Sequence, residues 1–263
     1  MAASLSQVWG DLPEEVEFCQ VLSIGLFDGI GALRVALDIL GASCCGHISV
    51  ERSEEARRVL EANFPDCEHV DDVALVDEAM VQSWALKYNS ASLVLVGAGP
   101  PCQGVSGLNS DRKGALKDER SKLFTHVPRV TQLCRVHFPW AQVQGLTENV
   151  ASMDAKDCAV MNSVFGMEPW FIDADGIGLA HRPRLCGCDW EFCEAEGVEI
   201  YLGSGGKLPL KGQVDLRTRV DTSAFLEPGY TKGDDKAFPT FTTSRPSPVP
   251  LRRPAGLKDL FTP

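Results

Sequence analysis

Val21-Leu22-Ser23-Ile24-Gly25-Leu26-Phe27-Asp28-Gly29-Ile30-Gly31 is the stretch on which the fold turns. Its first seven residues form an apolar run of strand length, and the glycine-bearing turn after them leads into a different periodicity. Leu33, Leu37 and Leu40 then recur at helical spacing, with Gly41 placed to end the helix. A strand that turns directly into a helix is half of a β-α-β unit, and the chain repeats it. Gly46-His47-Ile48-Ser49-Val50 reads as a second strand closed by Glu51, and residues 54–64 read as a charged amphipathic helix stopped by Pro65. A short strand around His69-Val70 leads into Asp71-Asp72, and Leu93-Val94-Leu95-Val96 has the continuous apolar character of a strand buried on both faces.

That alternation predicts an α/β fold: a Rossmann-like, mostly parallel sheet with helices on both faces. The strands are expected to end near Phe27, Val50, Val96 and Leu146, with Asp28, Glu51, Gly99 and Glu148 along one edge. After residue 190 the pattern fails, and residues 203–256 are rich in Gly, Pro, Ser, Thr and basic side chains. The expected division is an N-terminal extension at 1–19, a core at 20–192, and a small irregular basic region at 193–263.

The chain has 263 residues, 44% of them hydrophobic and 23% charged, as in an ordinary folded protein. No apolar run approaches the roughly 18–20 residues of a membrane helix, and no secretory signal is visible at the start. A nuclear or cytoplasmic location is therefore expected, with no membrane partner. Ten cysteines in a scattered arrangement read as reduced thiols. Cys186, Cys188 and Cys193 are the nearest approach to a metal motif, but they lack the fourth ligand of a structural zinc site, and no metal is expected.

The net charge of −11 is unevenly spread. Residues 1–199 hold 15 Lys/Arg against 30 Asp/Glu, while residues 200–263 hold 10 against 6 and residues 105–135 hold 7 against 3. Phosphate binding needs local positive charge rather than a basic whole, so the balance permits a nucleic-acid partner.

Glycines at Phe27-Asp28-Gly29-Ile30-Gly31 let a backbone approach a ligand closely at a helix N-terminus. A full dinucleotide fingerprint is absent, and Asp28 would repel a pyrophosphate. An adenosyl-amino acid cofactor has no phosphate and carries an ammonium group, which suits a carboxylate. Glu51 is placed to accept from ribose hydroxyls, and Asp72 from an adenine amino group. Taken singly, each of these residues reads more simply as part of a tight turn or as a solvent acid; their succession at strand ends favours the cofactor.

The most distinctive segment is Gly97-Ala98-Gly99-Pro100-Pro101-Cys102-Gln103-Gly104, which follows the fourth strand. Two prolines and flanking glycines make a rigid loop at the edge of the sheet where α/β enzymes place their chemistry. A cysteine there is available to a ligand, and its thiolate is the attacking species.

Pro100-Pro101-Cys102-Gln103 resembles the catalytic loop of the cytosine C5-methyltransferases. Phe27-Asp28-Gly29, Glu148-Asn149-Val150 and Arg182-Pro183-Arg184 resemble that family's cofactor loop, glutamate motif and R-x-R motif, in the family's order. Asn109, Arg112-Lys113-Gly114, Leu123-Phe124 and Ala180-His181-Arg182 look most like the animal de novo DNA methyltransferases. The resemblance spans about residues 20–190. It implies S-adenosyl-L-methionine bound by Phe27, Asp28, Gly29, Ile30, Gly31, Glu51, Asp72, Gly99 and Pro100. It also implies Cys102 as the nucleophile on C6 of a flipped cytosine in DNA, with Glu148 holding N3 and the exocyclic amine. Arg182 and Arg184, two apart on an extended segment, would contact the base carbonyl, a phosphate or the Cys102 loop; the plainer reading pairs them with Asp189 or Glu191.

Asn162-Ser163-Val164 looks like the family's late asparagine motif but comes too early. Phe238-Pro239-Thr240-Phe241-Thr242-Thr243-Ser244-Arg245 looks like the threonine-rich part of its target-recognition region. No match to the family's closing segments follows, and the N-terminus does not carry them, so one wall of the cofactor pocket is expected to be open. Two alternatives stand beside the DNA enzyme: a tRNA cytosine methyltransferase, and an impaired regulatory subunit that binds another methyltransferase chain. A redox thiol enzyme fits poorly, because no resolving cysteine lies near Cys102 in sequence.

Overall fold

The longest uninterrupted apolar runs form the centre of the sheet. In the computed structural model, which describes residues 19–174, 180–192, 197–203 and 208–216 and three two-residue strands at 231–232, 238–239 and 251–252, β1 (Gln20–Leu26) and β4 (Leu93–Ala98) lie side by side. Between them in sequence come α1 (Ala32–Ile39), β2 (Ser43–Val50), α2 (Glu54–Asn63), β3 (Glu68–Val70) and α3 (Glu78–Lys87). After β4 follow α4 (His126–His137), β5 (Gln142–Val150), α5 (Ala155–Phe165), β6 (Trp170–Asp173) and β7 (Pro183–Cys188). Two further strands, β8 (Val198–Leu202) and β9 (Gly212–Leu216), complete a nine-stranded sheet in the order β3-β2-β1-β4-β5-β7-β6-β9-β8.

The first five strands in that order run parallel, and β7 enters antiparallel between β5 and β6. This is a Rossmann-like sheet whose order reverses between β1 and β4, the position at which such sheets bind ligands beyond their carboxyl ends.

Alternation along the strands divides the core between two faces. Leu22, Ile24 and Leu26 of β1 and Val94 and Val96 of β4 are fully buried, packed with Val81 and Trp84 of α3 and Val127 and Val130 of α4. Val21 and Leu95, on the opposite face, pack with Leu33 and Leu37 of α1. Local caps hold the helices: the Ser53 side chain accepts from Ala56 N at the start of α2, and Gly41, which the sequence placed at the end of the first helix, follows α1 at φ 72.

Two expectations are corrected. β5 does not end near Leu146 but runs to Val150, because Leu146 to Val150 pair antiparallel with Cys188 to Arg184 of β7. Glu148 therefore projects from within a paired strand. The core also does not stop at residue 192: β9 pairs in parallel with β6 and antiparallel with β8, and Val214 joins a buried cluster with Trp170 and Cys188. Short strands between glycine-rich and basic stretches left too little periodicity to be read. Of the threonine-rich segment, Phe238–Pro239 pairs with Ala180–His181; the rest lies outside the described residues, as do residues 1–18 of the expected 1–19 extension and Cys193. Among the described residues no helix is long and apolar enough to cross a membrane.

Membership of β9 in the core has a direct test. Val214→Asp puts a carboxylate into a site that is only 4% exposed, and it is expected to cost about 3 kcal/mol or more in denaturant unfolding. A loosely attached tail would leave the unfolding midpoint unchanged.

Candidate functional site

The site is assembled at the carboxyl ends of β1, β2, β4 and β5. Leu26 is paired with Ala98, so the loop after β1 and the loop after β4 leave the sheet next to each other. Phe27 makes the turn at φ 56, the one described non-glycine residue in the left-handed region. A side chain there costs on the order of 1–3 kcal/mol, which the surrounding bonds must offset. Phe27 N and Asp28 N donate to the Val50 carbonyl at 2.9 and 3.4 Å, and the Gly31 amide donates to the Asp28 carbonyl at 3.2 Å.

Glu51 holds the loop from the neighbouring strand. One carboxylate oxygen accepts from Gly29 N at 2.8 Å and the other from Ser53 N at 2.7 Å, the latter at the start of α2. Asp28 is turned the other way: its side chain is 2% exposed and meets His47 Nε2 at 3.0 Å. Asp72 caps the short turn Val73–Leu75, accepting from Ala74 N at 2.9 Å. Gly29 stands at φ 60 with nothing within 4 Å of where a Cβ would be, and Ile30 is exposed. The loop thus offers backbone to a ligand while its acidic side chains face the protein.

Gly99 is where the expected parts converge. A methyl group built on it would lie 3.8 Å from Glu148 Oε2 and 3.9 Å from the Phe27 carbonyl oxygen. The next residue, Pro100, is tied to the glutamate motif, since Asn149 Nδ2 donates to its carbonyl at 3.2 Å in a buried contact. Cys102, half-buried, packs against a cluster that includes Val105, Phe124 and Met153. Its carbonyl accepts from Val105 N at 3.0 Å and Ser106 N at 2.8 Å, which starts a turn.

The rest of the thiol loop is fastened at several points. Ser121 Oγ accepts from Gly104 N at 2.8 Å and donates to the Pro101 carbonyl at 3.2 Å, bridging both sides of Cys102. A Cβ on Gly104 would fall 2.4 Å from Asp118 Cβ, so only glycine fits. Asp118 itself is held well below the usual carboxylate range by the Arg120 guanidinium beside it. Asp157 of α5 accepts from Ala115 N at 2.8 Å, and Ser152 Oγ from Gly107 N at 3.1 Å.

Glu148 faces Cys186 across the β5–β7 pair and forms an ion pair with Arg184. Its side chain remains 45% exposed and so accessible to a ligand. Burial, aided by the charge of Glu148, pushes the Cys186 thiol up to about 12, so that thiol stays protonated. Behind Glu148 lies a cavity of about 20 Å³ beside Met161, Phe165 and Leu185, room for one water rather than a base.

The structure thus brings Phe27, Gly29, Glu51, Gly99, Pro100, Glu148 and Arg184 to one region. Arg182 stands exposed just ahead of β7, its amide donating to Asp173 Oδ1 at 2.8 Å. The plainer pairing of the arginines is not the one adopted: Asp189 is taken by Arg135 and Gly145 N, and Glu191 by Lys211. Asn162 lies on α5, donating to the Pro209 carbonyl at 2.9 Å. Sequence reasoning missed Ser121, Ser152 and Asp157, single polar residues without a motif. It also missed Leu108, an apolar side chain 84% exposed between Cys102 and the basic pair Arg112-Lys113.

The profile of the C-5 cytosine-specific DNA methylase family matches residues 21–157. Over 173 residues the chain is 30% identical to the Type II methyltransferase M.HpaII of Haemophilus parainfluenzae, covering 62% of this chain and 44% of that protein. It is 29% identical over 114 residues to DNA (cytosine-5)-methyltransferase DRM2 of Oryza sativa subsp. japonica, covering 41% of this chain and 19% of that one. The chain therefore spans less than half the length of either relative. Among solved structures, a DNMT2 mutant of Spodoptera frugiperda superposes with a TM-score of 0.48 at 18% identity, covering 67% of this chain and 54% of that one. The Entamoeba histolytica methyltransferase EhMeth gives 0.47 at 19% identity, covering 71% and 61%.

Asn149→Ala leaves the buried Pro100 carbonyl without its donor. It is expected to cost about 1–3 kcal/mol of stability and to speed amide exchange in residues 102–106. Unchanged exchange there would show that the loop is held without β5.

Proposed function

This chain belongs to the C-5 cytosine-specific DNA methylase family, and from that premise we propose that it methylates C5 of a flipped cytosine in DNA through a covalent bond from Cys102 to C6. The observation that carries the reading is the meeting at Gly99 of the Phe27 loop, the Cys102 loop and the Glu148 carboxylate. A methyl donor, a nucleophile and a base-holding acid must act on one ring, and only a shared site permits that.

S-adenosylmethionine fits the residues present. The left-handed Gly29, with nothing within 4 Å of where a Cβ would be, leaves open backbone, and Glu51, already holding Gly29 N and Ser53 N, keeps lone pairs for hydroxyl donors. When bound, the cofactor supplies an electrophilic methyl group. Phe27, Gly29, Gly31 and Glu51 would hold it, with Gly99 as the floor towards the base.

C5 of cytosine is a poor nucleophile, and the protein corrects this. The Cys102 thiolate adds to C6 and pushes an electron pair into the ring, where Glu148 shares a proton with N3 and relieves the negative charge. Carbon C5 then has enamine character and takes the methyl group. Loss of the proton at C5 and of the thiolate from C6 restores aromaticity. Arg184 positions Glu148 through its ion pair and balances a second charge near the base. The chemistry needs a base outside the stack, and Leu108 is suited to fill the vacated space beside the phosphate-binding charges of Arg112 and Lys113. DNA is favoured as substrate by the description of the family, a C-5 cytosine-specific DNA methylase, and by the name of the DRM2 relative, a DNA (cytosine-5)-methyltransferase.

Transfer of a labelled methyl group to duplex DNA, unmethylated and hemimethylated, and to tRNA decides the proposal. Incorporation into DNA is expected, lost in Cys102→Ser and reduced about 10²–10⁴-fold in Glu148→Gln. Leu108→Ala should weaken DNA turnover and leave S-adenosylhomocysteine binding unchanged. Transfer to tRNA alone would make the chain an RNA enzyme. Transfer to neither, even with a full-length relative added, would overturn the catalytic reading.

A further inference from the structure

The carboxylate of Asp28 is not aimed at a ligand; it ends a buried chain of hydrogen bonds. His47 Nε2 meets Asp28 Oδ2 at 3.0 Å, and His47 Nδ1 meets Ser23 Oγ at 2.7 Å. Ser23 is fully buried, and the side chains of His47 and Asp28 are each 2% exposed. We propose that His47 is a positioning residue for the loop at 27–31: by holding Asp28 beneath that loop it fixes the backbone that receives the cofactor. The inference rests on reading that loop as the cofactor site.

Register builds the arrangement. Ser23 and His47 are partners in the parallel β1–β2 ladder, so hydroxyl and imidazole project side by side. Asp28, two residues beyond β1, folds back over Gly25, where a Cβ would fall 2.1 Å from Asp28 Oδ1. The missing side chain at 25 is the slot for the carboxylate. To reach it, the backbone passes through the left-handed turn at Phe27, which carries the Phe27 carbonyl towards Gly99. Two anchors then hold the loop from opposite sides: His47 draws the Asp28 side chain inward, and Glu51 holds the Gly29 amide. A carboxylate this buried is unfavourable without a partner, so loss of the His47 contact would release the turn.

Ser23 lets the chain persist in either charge state of the histidine. With neutral His47, Nε2–H donates to Asp28 and the Ser23 hydroxyl donates to Nδ1. With the ring charged, Nδ1–H donates to Ser23 Oγ, whose proton turns to the Gly46 carbonyl at 3.4 Å. The other charged or titratable groups around Asp28 are Cys67, pushed up to about 12 by burial and by the Asp28 charge, Arg34 of α1, whose charge reaches Cys67, and Glu51 across the loop.

Two conservative variants separate positioning from packing. In His47→Gln the amide nitrogen takes the place of Nε2 and can still donate to Asp28. In His47→Asn it takes the place of Nδ1, near Ser23, and falls short of Asp28. Calorimetry of the full chain with S-adenosylhomocysteine should show Gln within about threefold of wild type and Asn weakened about tenfold or more. Asp28→Ala, which removes the acceptor, should cost at least as much as His47→Asn, and the double variant no more than Asp28→Ala alone. Amide exchange at Gly29 should rise in His47→Asn and not in His47→Gln. Equal affinities for the two variants, or additive losses in the double variant, would overturn the proposal while leaving the cofactor site standing. A wild-type protein that binds no S-adenosylhomocysteine would overturn the cofactor reading and this proposal together.

Discussion

Leu26 and Ala98 are paired across adjacent parallel strands, and that single register determines where the chemistry can occur. β1 and β4 flank the point where the strand order reverses, so the helices that follow them depart in opposite directions and leave a crevice beyond their ends. The Phe27 turn stands on one side and Gly99-Pro100-Pro101-Cys102 on the other. β5, next to β4 in parallel, brings Glu148 to the same rim, and antiparallel β7 returns Arg184 to it. A slip of one residue between β1 and β4 would send one strand's side chains to the wrong face of the two-sided core and scatter the site.

Around that register the protein spends polar residues on holding loops rather than on the core. Ser121, Asn149, Ser152 and Asp157 each satisfy a backbone group of the thiol loop, while Glu51 and the Ser23–His47–Asp28 chain hold the first loop. Both loops are thus set before any ligand arrives. A group held in place beforehand loses less freedom when it reacts, and a strained turn such as that at Phe27 persists only where its surroundings over-determine it.

The strands and the first helices were legible because long apolar runs and helical leucine spacing are local signals. Gly41 and Pro65 marked helix ends for the same reason: each acts on its own backbone. β8 and β9 were not legible. Five residues each, between glycine- and lysine-rich connections, they join the sheet through the pairing of β9 with β6 and of β8 with β9, contacts that local pattern does not record. The same limit applies to the site. Cys102, Glu148 and Arg184 stood in recognisable segments, and the structure brings their elements together. The direction of Asp28 was not readable, since it depends on an imidazole 19 residues away and on the missing side chain of Gly25. Ser121 and Asp157 carry no signal in sequence, because their partners are backbone amides in another segment.

The central claim is that Cys102 and Glu148 act on one flipped base at the Gly99 crevice. Duplex DNA containing 5-fluorocytosine tests it most directly, because fluorine at C5 cannot leave as a proton does and the thiol adduct is trapped after methyl transfer. With S-adenosylmethionine present, denaturing electrophoresis should show a protein–DNA adduct, and peptide mass analysis should place the base on Cys102. The adduct should be absent in Cys102→Ser and much reduced in Glu148→Gln. No adduct under saturating cofactor, or one attached to another cysteine, would contradict the account.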